Sequence, residues 1–357
     1  MGVAAILASA LAVSAPAGER AFALLADNRL LQLELPGGKV IARRVLGPKL
    51  RERVSPGRML ALGGSRVYAL VRTTAGTDSI AVVDARGTRL RARYPLEPDV
   101  RYRGILLVQD RLYAFGGRYG RIVVTDPTEV REQDALVTTL DVGSGRVLGT
   151  TTVRPADGRA WWILSGTATP DGSRIALSYH GFNTTGADWL EVTPDGLRRC
   201  SVPSPFPSSG CIGLHGMIEP YGKGWIGATG EEFLLEFDES GRELRQLHSG
   251  LRNEHLMNFA FTANGKGLLV LGSCSYSRGG LRRVSLVTGT STLVRRGFCG
   301  EGLAVGHSAL VVIRNESVVA VSTSPAVLEF RRPDTARLLA ARDVSASVLD
   351  VAVRSKR

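Results

Sequence analysis

Long apolar runs are missing from this sequence. No stretch of about 18 apolar residues occurs, so nothing in it is long and apolar enough to cross a bilayer as a helix. Lysine is scarce, at positions 39, 49, 223, 266 and 356 only, and the net charge of +12 therefore rests on arginine. The arginines are scattered, aromatic residues make up 6%, and no nucleic-acid-binding motif is present, which places nucleic acid last among possible partners. None of the four cysteines sits in a CxxC pair, which argues against zinc. A GxSxG nucleophile elbow is absent. Gly63-Gly64, Gly116-Gly117 and Gly279-Gly280 read as turn glycines without P-loop spacing. Continuous helical periodicity is absent as well.

What is present is turn chemistry. The chain has 42 Gly and 16 Pro among 357 residues, 44% hydrophobic content and a mean hydropathy of +0.04, a globular composition with frequent reversals. Between the reversals lie runs of five to eight residues rich in Val, Ile, Leu, Tyr and Trp, which read as strands.

Two turn patterns alternate with a period of about 40 residues. One is a hairpin between a first and a second strand, as in Thr169-Pro170-Asp171-Gly172-Ser173-Arg174 and Ala263-Asn264-Gly265-Lys266, with Pro220-Tyr221-Gly222-Lys223 as a looser copy. The other follows a strand ending in an acidic or polar residue: Val83-Asp84-Ala85-Arg86-Gly87, Leu140 to Gly145, Val192 to Gly196 and Phe237 to Gly241. Gly, Asn and Asp supply the positive φ that tight hairpins need. Grouping strands in fours gives blades at 58–97, 104–154, 161–203, 212–249, 256–297 and 302–343. Ala21–Val45 aligns with the last three strands of such a blade, and Ala346–Val353 is one strand without a partner. Joined, the two ends make a seventh blade, because an open ring would leave exposed sheet edges. The fold class expected is all-β: a seven-bladed β-propeller of four-stranded antiparallel blades, closed by pairing the C-terminal strand with the N-terminal three.

This pattern resembles the YVTN-type and lactonase-like seven-bladed propellers, in which a P-D-G-type turn and a D-x-x-x-G turn recur. Literal YVTN, the Trp-Asp dipeptide and repeated tryptophan-docking motifs are all missing. The resemblance spans the chain after its first residues and speaks to fold more than to chemistry.

Val3 to Val13 is an apolar run followed by Ala15-Pro16-Ala17, the small-x-small pattern of a secretory cleavage site, although no Lys or Arg precedes it. A signal peptide over 1–17 and a single domain over 18–357 are expected, with the protein secreted or on the exterior of the cell envelope. Cys200, Cys211, Cys274 and Cys299 suit an oxidising compartment; four cysteines allow three pairings, of which Cys200–Cys211 with Cys274–Cys299 is the simplest.

In a propeller the first strand of each blade lines the central channel, and the loops that lead into it share one face with the second-to-third loops. Arg58, Arg103, Trp162, His215, His255 and Glu301 fall at that channel mouth, and all four cysteines fall on the same face. Arg58, Arg103, His180, Asn183 and Asp188 are the ligand-binding candidates. Within the second-to-third loop Tyr179–Asp188, the segment His180–Asp188 reads as a polar loop suited to a sugar-like or peptide ligand, or as a turn capped by its own side chains. Asn183-Thr184-Thr185 is also a glycosylation sequon. His215, His255 and Glu301 are catalytic candidates, since His titrates near neutrality and Glu supplies a partner charge; the plainer reading makes both histidines strand-start residues bonded to loop backbone. Gly117–Asp134, with mixed charge, is either a recognition arm or a long hairpin extension.

The function expected is that of a binding protein using this disulfide-braced face for a protein, peptide or glycan. A lactonase-like hydrolase or lyase built on the His/Glu cluster is the alternative. A structural envelope protein held by its charge to an anionic envelope polymer is a third. No cofactor is expected, with a metal ion held at the channel mouth by the His/Glu cluster as the alternative, and a monomer is expected.

Overall fold

A computed structural model describes residues 18–49, 58–73, 77–125, 128–153, 161–169, 171–181, 184–193, 196–199, 214–229, 233–238, 242–249, 256–272, 280–298, 300, 302–315 and 325–354. The first three strands, β1 (Arg20–Leu25), β2 (Arg29–Glu34) and β3 (Lys39–Val45), belong to blade 7. Blade 1 follows with β4 (Leu60–Gly63), β5 (Arg66–Val71), β6 (Thr77–Asp84) and β7 (Leu90–Pro98), then blade 2 with β8 (Val100–Val108), β9 (Arg111–Thr125), β10 (Thr128–Asp141) and β11 (Val147–Val153). Blade 3 is β12 (Trp161–Ala168), β13 (Arg174–Gly181), β14 (Thr184–Thr193) and β15 (Gly196–Arg199); blade 4 is β16 (Leu214–Tyr221), β17 (Gly224–Thr229), β18 (Phe233–Phe237) and β19 (Glu243–His248). Blade 5 is β20 (Leu256–Phe261), β21 (Gly267–Gly272), β22 (Gly280–Ser285) and β23 (Ser291–Arg296); blade 6 is β24 (Gly302–Val305), β25 (Leu310–Asn315), β26 (Ala326–Arg331) and β27 (Leu338–Val344). The last strand, β28 (Val348–Arg354), pairs antiparallel with β1, Ala21 opposite Val353 and Ala23 opposite Val351, and so becomes the inner strand of blade 7. The expected closure by the two chain ends is the one observed.

Burial explains the sequence pattern of each strand. Middle strands lie in a blade packed on both faces, so β1, β5 and β6 are almost continuously buried and read as apolar runs. Outermost strands such as β3, β23 and β27 are mostly exposed and tolerate arginine. The core fills the gaps between neighbouring blades: one cluster joins blades 7, 1 and 2 around Phe22, Tyr68 and Tyr102, and another joins blades 6 and 7 around Phe330 and Leu33.

Turns also lock blade to blade. Asp141 opens the third-to-fourth turn of blade 2 by accepting from the Ser144 hydroxyl at 2.6 Å and from the Ser144 amide at 2.7 Å, and these hydrogen bonds hold its carboxyl below the usual range. Gly145 in that turn has φ +72°, and a Cβ there would lie 1.9 Å from the Tyr94 ring of blade 1. Tyr94 in turn donates its hydroxyl to the Val142 carbonyl at 2.9 Å. Across the seam between blades 6 and 7, the buried Glu19 carboxylate accepts from the amides of His307 at 2.7 Å and Ser308 at 2.8 Å, and from the Ser308 hydroxyl.

Two segments expected as second-to-third loops are strand instead. Strands β13 and β14 pair from Arg174↔Glu191 to Gly181↔Thr184, so the polar loop Tyr179–Asp188 narrows to a tight hairpin. The β-branched Thr184 and Thr185 suit the extended ladder, which satisfies backbone groups that a loop would leave to water. Likewise β9 and β10 stay paired out to Thr125↔Thr128, so the Gly117–Asp134 insertion is the long hairpin extension.

Candidate functional site

The inner strands follow one another around the channel in the order β28, β4, β8, β12, β16, β20, β24, each touching the next and the last touching the first. A side chain on one of them therefore reaches blades remote in sequence. Arg58 lies two residues before the start of β4, and its carbonyl accepts from the Ile105 amide of β8 at 2.8 Å, which fixes its backbone against blade 2. From there its guanidinium crosses the channel. It pairs with Glu219 on β16 and approaches the Gly166 carbonyl on β12 at 3.5 Å, so one side chain links blades 1, 3 and 4.

The third group is Asp350, on β28. Its Oδ2 accepts from the Leu60 amide at 2.7 Å, across the blade 7 to blade 1 seam, and its Oδ1 from the Val351 amide at 2.8 Å. Burial pushes its carboxyl up to about 7, against the opposing pull of these amides and of the Arg58 charge. Burial also lowers the Arg58 value, while Asp350 raises it. The channel thus holds a guanidinium, a carboxylate paired with it, and a carboxyl that exchanges its proton near neutrality. Arg58 and Glu219 keep 25% and 18% of their side chains exposed, so water reaches the pair.

Nearby, between blades 1 and 2, lies the buried Asp78, whose Oδ2 accepts from the Tyr102 amide at 3.1 Å. Burial raises its pKa, and Arg72 and Arg101 oppose that shift. Its Oδ1 has no hydrogen-bond partner among the described residues.

Of the residues singled out in the sequence, Arg58 is the one this cluster contains. Arg103 sits half-buried on β8, next to the residue whose backbone packs on Arg58. His215 lies on the inner strand β16 and His180 and Asp188 lie on β13 and β14, but their side chains fall outside the described residues. Asn183, His255, Glu301 and all four cysteines fall outside them entirely. Among the described residues no three His, Cys, Asp or Glu side chains gather to hold a metal ion. Sequence reasoning missed Glu219 and Asp350. Asp350 did leave a signal, as the one charged residue within the apolar strand Val348–Val353.

No protein-family model matches the sequence, and no curated protein does. Solved structures do. The chain is similar to the periplasmic gluconolactonase of Pseudomonas aeruginosa, with 14% identity and a TM-score of 0.61 over 94% of this chain and 99% of that one. A putative 6-phosphogluconolactonase from Bacteroides uniformis is similar at 13% identity and a TM-score of 0.58, over 94% and 99% of the two chains. AztD from Citrobacter koseri is similar at 12% identity and a TM-score of 0.53, over 95% and 99%. At such identities the likeness is one of fold alone: a seven-bladed β-propeller, as the turn pattern implied.

Proposed function

We propose that this protein is an exported propeller of the cell envelope that binds a peptide or glycan through an anionic group seated on Arg58 in the central channel. The observation that carries the reading is the Arg58–Glu219 pair across the channel. An arginine whose backbone is fixed against the neighbouring blade is preorganised, and a ligand carboxylate or phosphate takes the place of Glu219 as the anionic partner of its guanidinium. Export rests on the apolar run Val3–Val13 with its small-residue motif, on the four cysteines, and on the periplasmic setting named for one structural neighbour.

A second reading is favoured by Asp350. A carboxyl that titrates at about 7 beside a cation is suited to take a proton from water attacking a lactone carbonyl, with Arg58 holding the carboxylate produced. His215, His255 and Glu301 would then complete the site.

Calorimetry against uronic acids, sugar phosphates and acidic peptides, together with a lactone-hydrolysis assay, separates these readings. Binding without turnover, abolished in Arg58→Gln, supports the first. Turnover lost in Asp350→Asn, with ligand affinity kept, supports the second. Ligand affinity unchanged in Arg58→Gln would sink both.

A further inference from the structure

Eight of the large hydrophobic residues left exposed lie on outermost strands, two of them, Ile41 and Val45, on β3 at 41% and 66% exposure. Strand β3 carries more cations than any other outermost strand among the described residues, three against two in β7, β15 and β23. Its seven residues, Lys-Val-Ile-Ala-Arg-Arg-Val, include three cations and no acid. The neighbouring blade adds Arg332 and Arg337 from the β26–β27 turn, with Leu338 and Leu339 of β27 exposed beside them at 45% and 39%. Blades 6 and 7 meet here, since the Arg342 side chain donates to the carbonyls of Gly37 and Gly38 at 3.2 and 3.3 Å. Lys39, Arg43, Arg44, Arg332 and Arg337 have no ion-pair partner among the described residues.

Strand β3 also ends its sheet, ordered β28-β1-β2-β3, so its outer row of amides and carbonyls is left unpaired by the described strands of the blade. Cations on such an edge repel a second copy of the same strand and thereby discourage self-association. The same cations attract an acidic strand. We infer that the free edge of β3 is a docking site for an extended acidic segment of a partner protein, which adds as a fifth strand to blade 7. Backbone hydrogen bonds would supply affinity. Acidic side chains against Lys39, Arg43 and Arg44, and apolar ones against Ile41 and Val45, would supply selectivity. This surface lies on the outside of the ring and is independent of the channel.

The test is fluorescence anisotropy with a labelled octapeptide, Val-Glu-Glu-Thr-Val-Thr-Glu-Glu, which in antiparallel register sets acids against Lys39, Arg43 and Arg44 and valines against Ile41 and Val45, titrated with the full chain. Binding is expected, with a loss of about tenfold or more in the double variant Arg43→Glu/Arg44→Glu. A comparable loss is expected for the same peptide N-methylated at alternate amides, in at least one of its two registers. Both arginines are exposed, and an unchanged melting temperature would confirm that the variant folds. No binding of the octapeptide overturns the proposal. Equal binding of both N-methylated peptides overturns it too, because charge alone would then account for the attraction. So does binding to vesicles containing anionic lipid without binding to the peptide.

Discussion

Arg58 and Glu219 stand 161 residues apart in the chain and form an ion pair across the central channel. Blade 1 supplies the cation and blade 4 the anion, so the pair forms only when the blades between them are in place. The proposed ligand site rests on this pair.

Removing one partner of this pair should be felt in stability. Glu219→Gln is expected to cost about 1–3 kcal/mol, the range for leaving a partly desolvated charge without its counterion. Urea denaturation at neutral pH measures it, and an unchanged midpoint would mean that the pair contributes nothing.

Asp350 should make stability depend on pH in an unusual direction for a carboxylate. Its pKa is raised to about 7 in the folded protein from 3.8, so between those values the folded state holds the proton and the unfolded state has released it. Its contribution is complete below about pH 4 and is lost as pH rises towards 7, with a slope of up to about 1.4 kcal/mol per pH unit. Asp350→Asn keeps an acceptor for the Leu60 amide and cannot titrate. The variant should lack that part of the slope; an identical pH profile would contradict the assignment.

Glu19 is the corresponding group at the blade 6 to blade 7 seam. Glu19→Ala strands the amides of His307 and Ser308 and should destabilise the protein by about 2–3 kcal/mol. Gly306→Ala tests the same seam from the other side, since the added Cβ would sit 2.5 Å from the Glu19 carboxylate. Thermal melts of both variants are expected to shift downwards.

Deleting residues 348–357 removes β28, and with it the pairing that closes the ring. The prediction is loss of the cooperative melt as a whole, not of one blade, seen by circular dichroism and size exclusion. A truncated protein melting at the original temperature would show that β28 is dispensable.

The blade boundaries were legible because local chemistry writes them. Asp171-Gly172, Asn264-Gly265 and Asp141 to Gly145 specify turns through φ preferences and short-range hydrogen bonds, and they recur at the spacing of a blade. The limits read from them fall within a few residues of the observed strands. Where turn residues misled, as between Tyr179 and Asp188, the reason is that polar residues within paired strands satisfy their backbone as well as those in a loop do. Sequence polarity does not distinguish the two cases.

The sequence by itself determined the strand content, the number of blades and the closure of the ring by its two ends. Each follows from side-chain alternation and turn type, which act over a few residues. Only the tertiary structure decided that Arg58, Glu219 and Asp350 share one channel, that Glu19 locks onto the Gly306–Ser308 turn, and that β3 presents its cations along a free edge. Those relationships join residues up to about three hundred positions apart. Their energies come from burial and from the proximity of charges that no local pattern encodes.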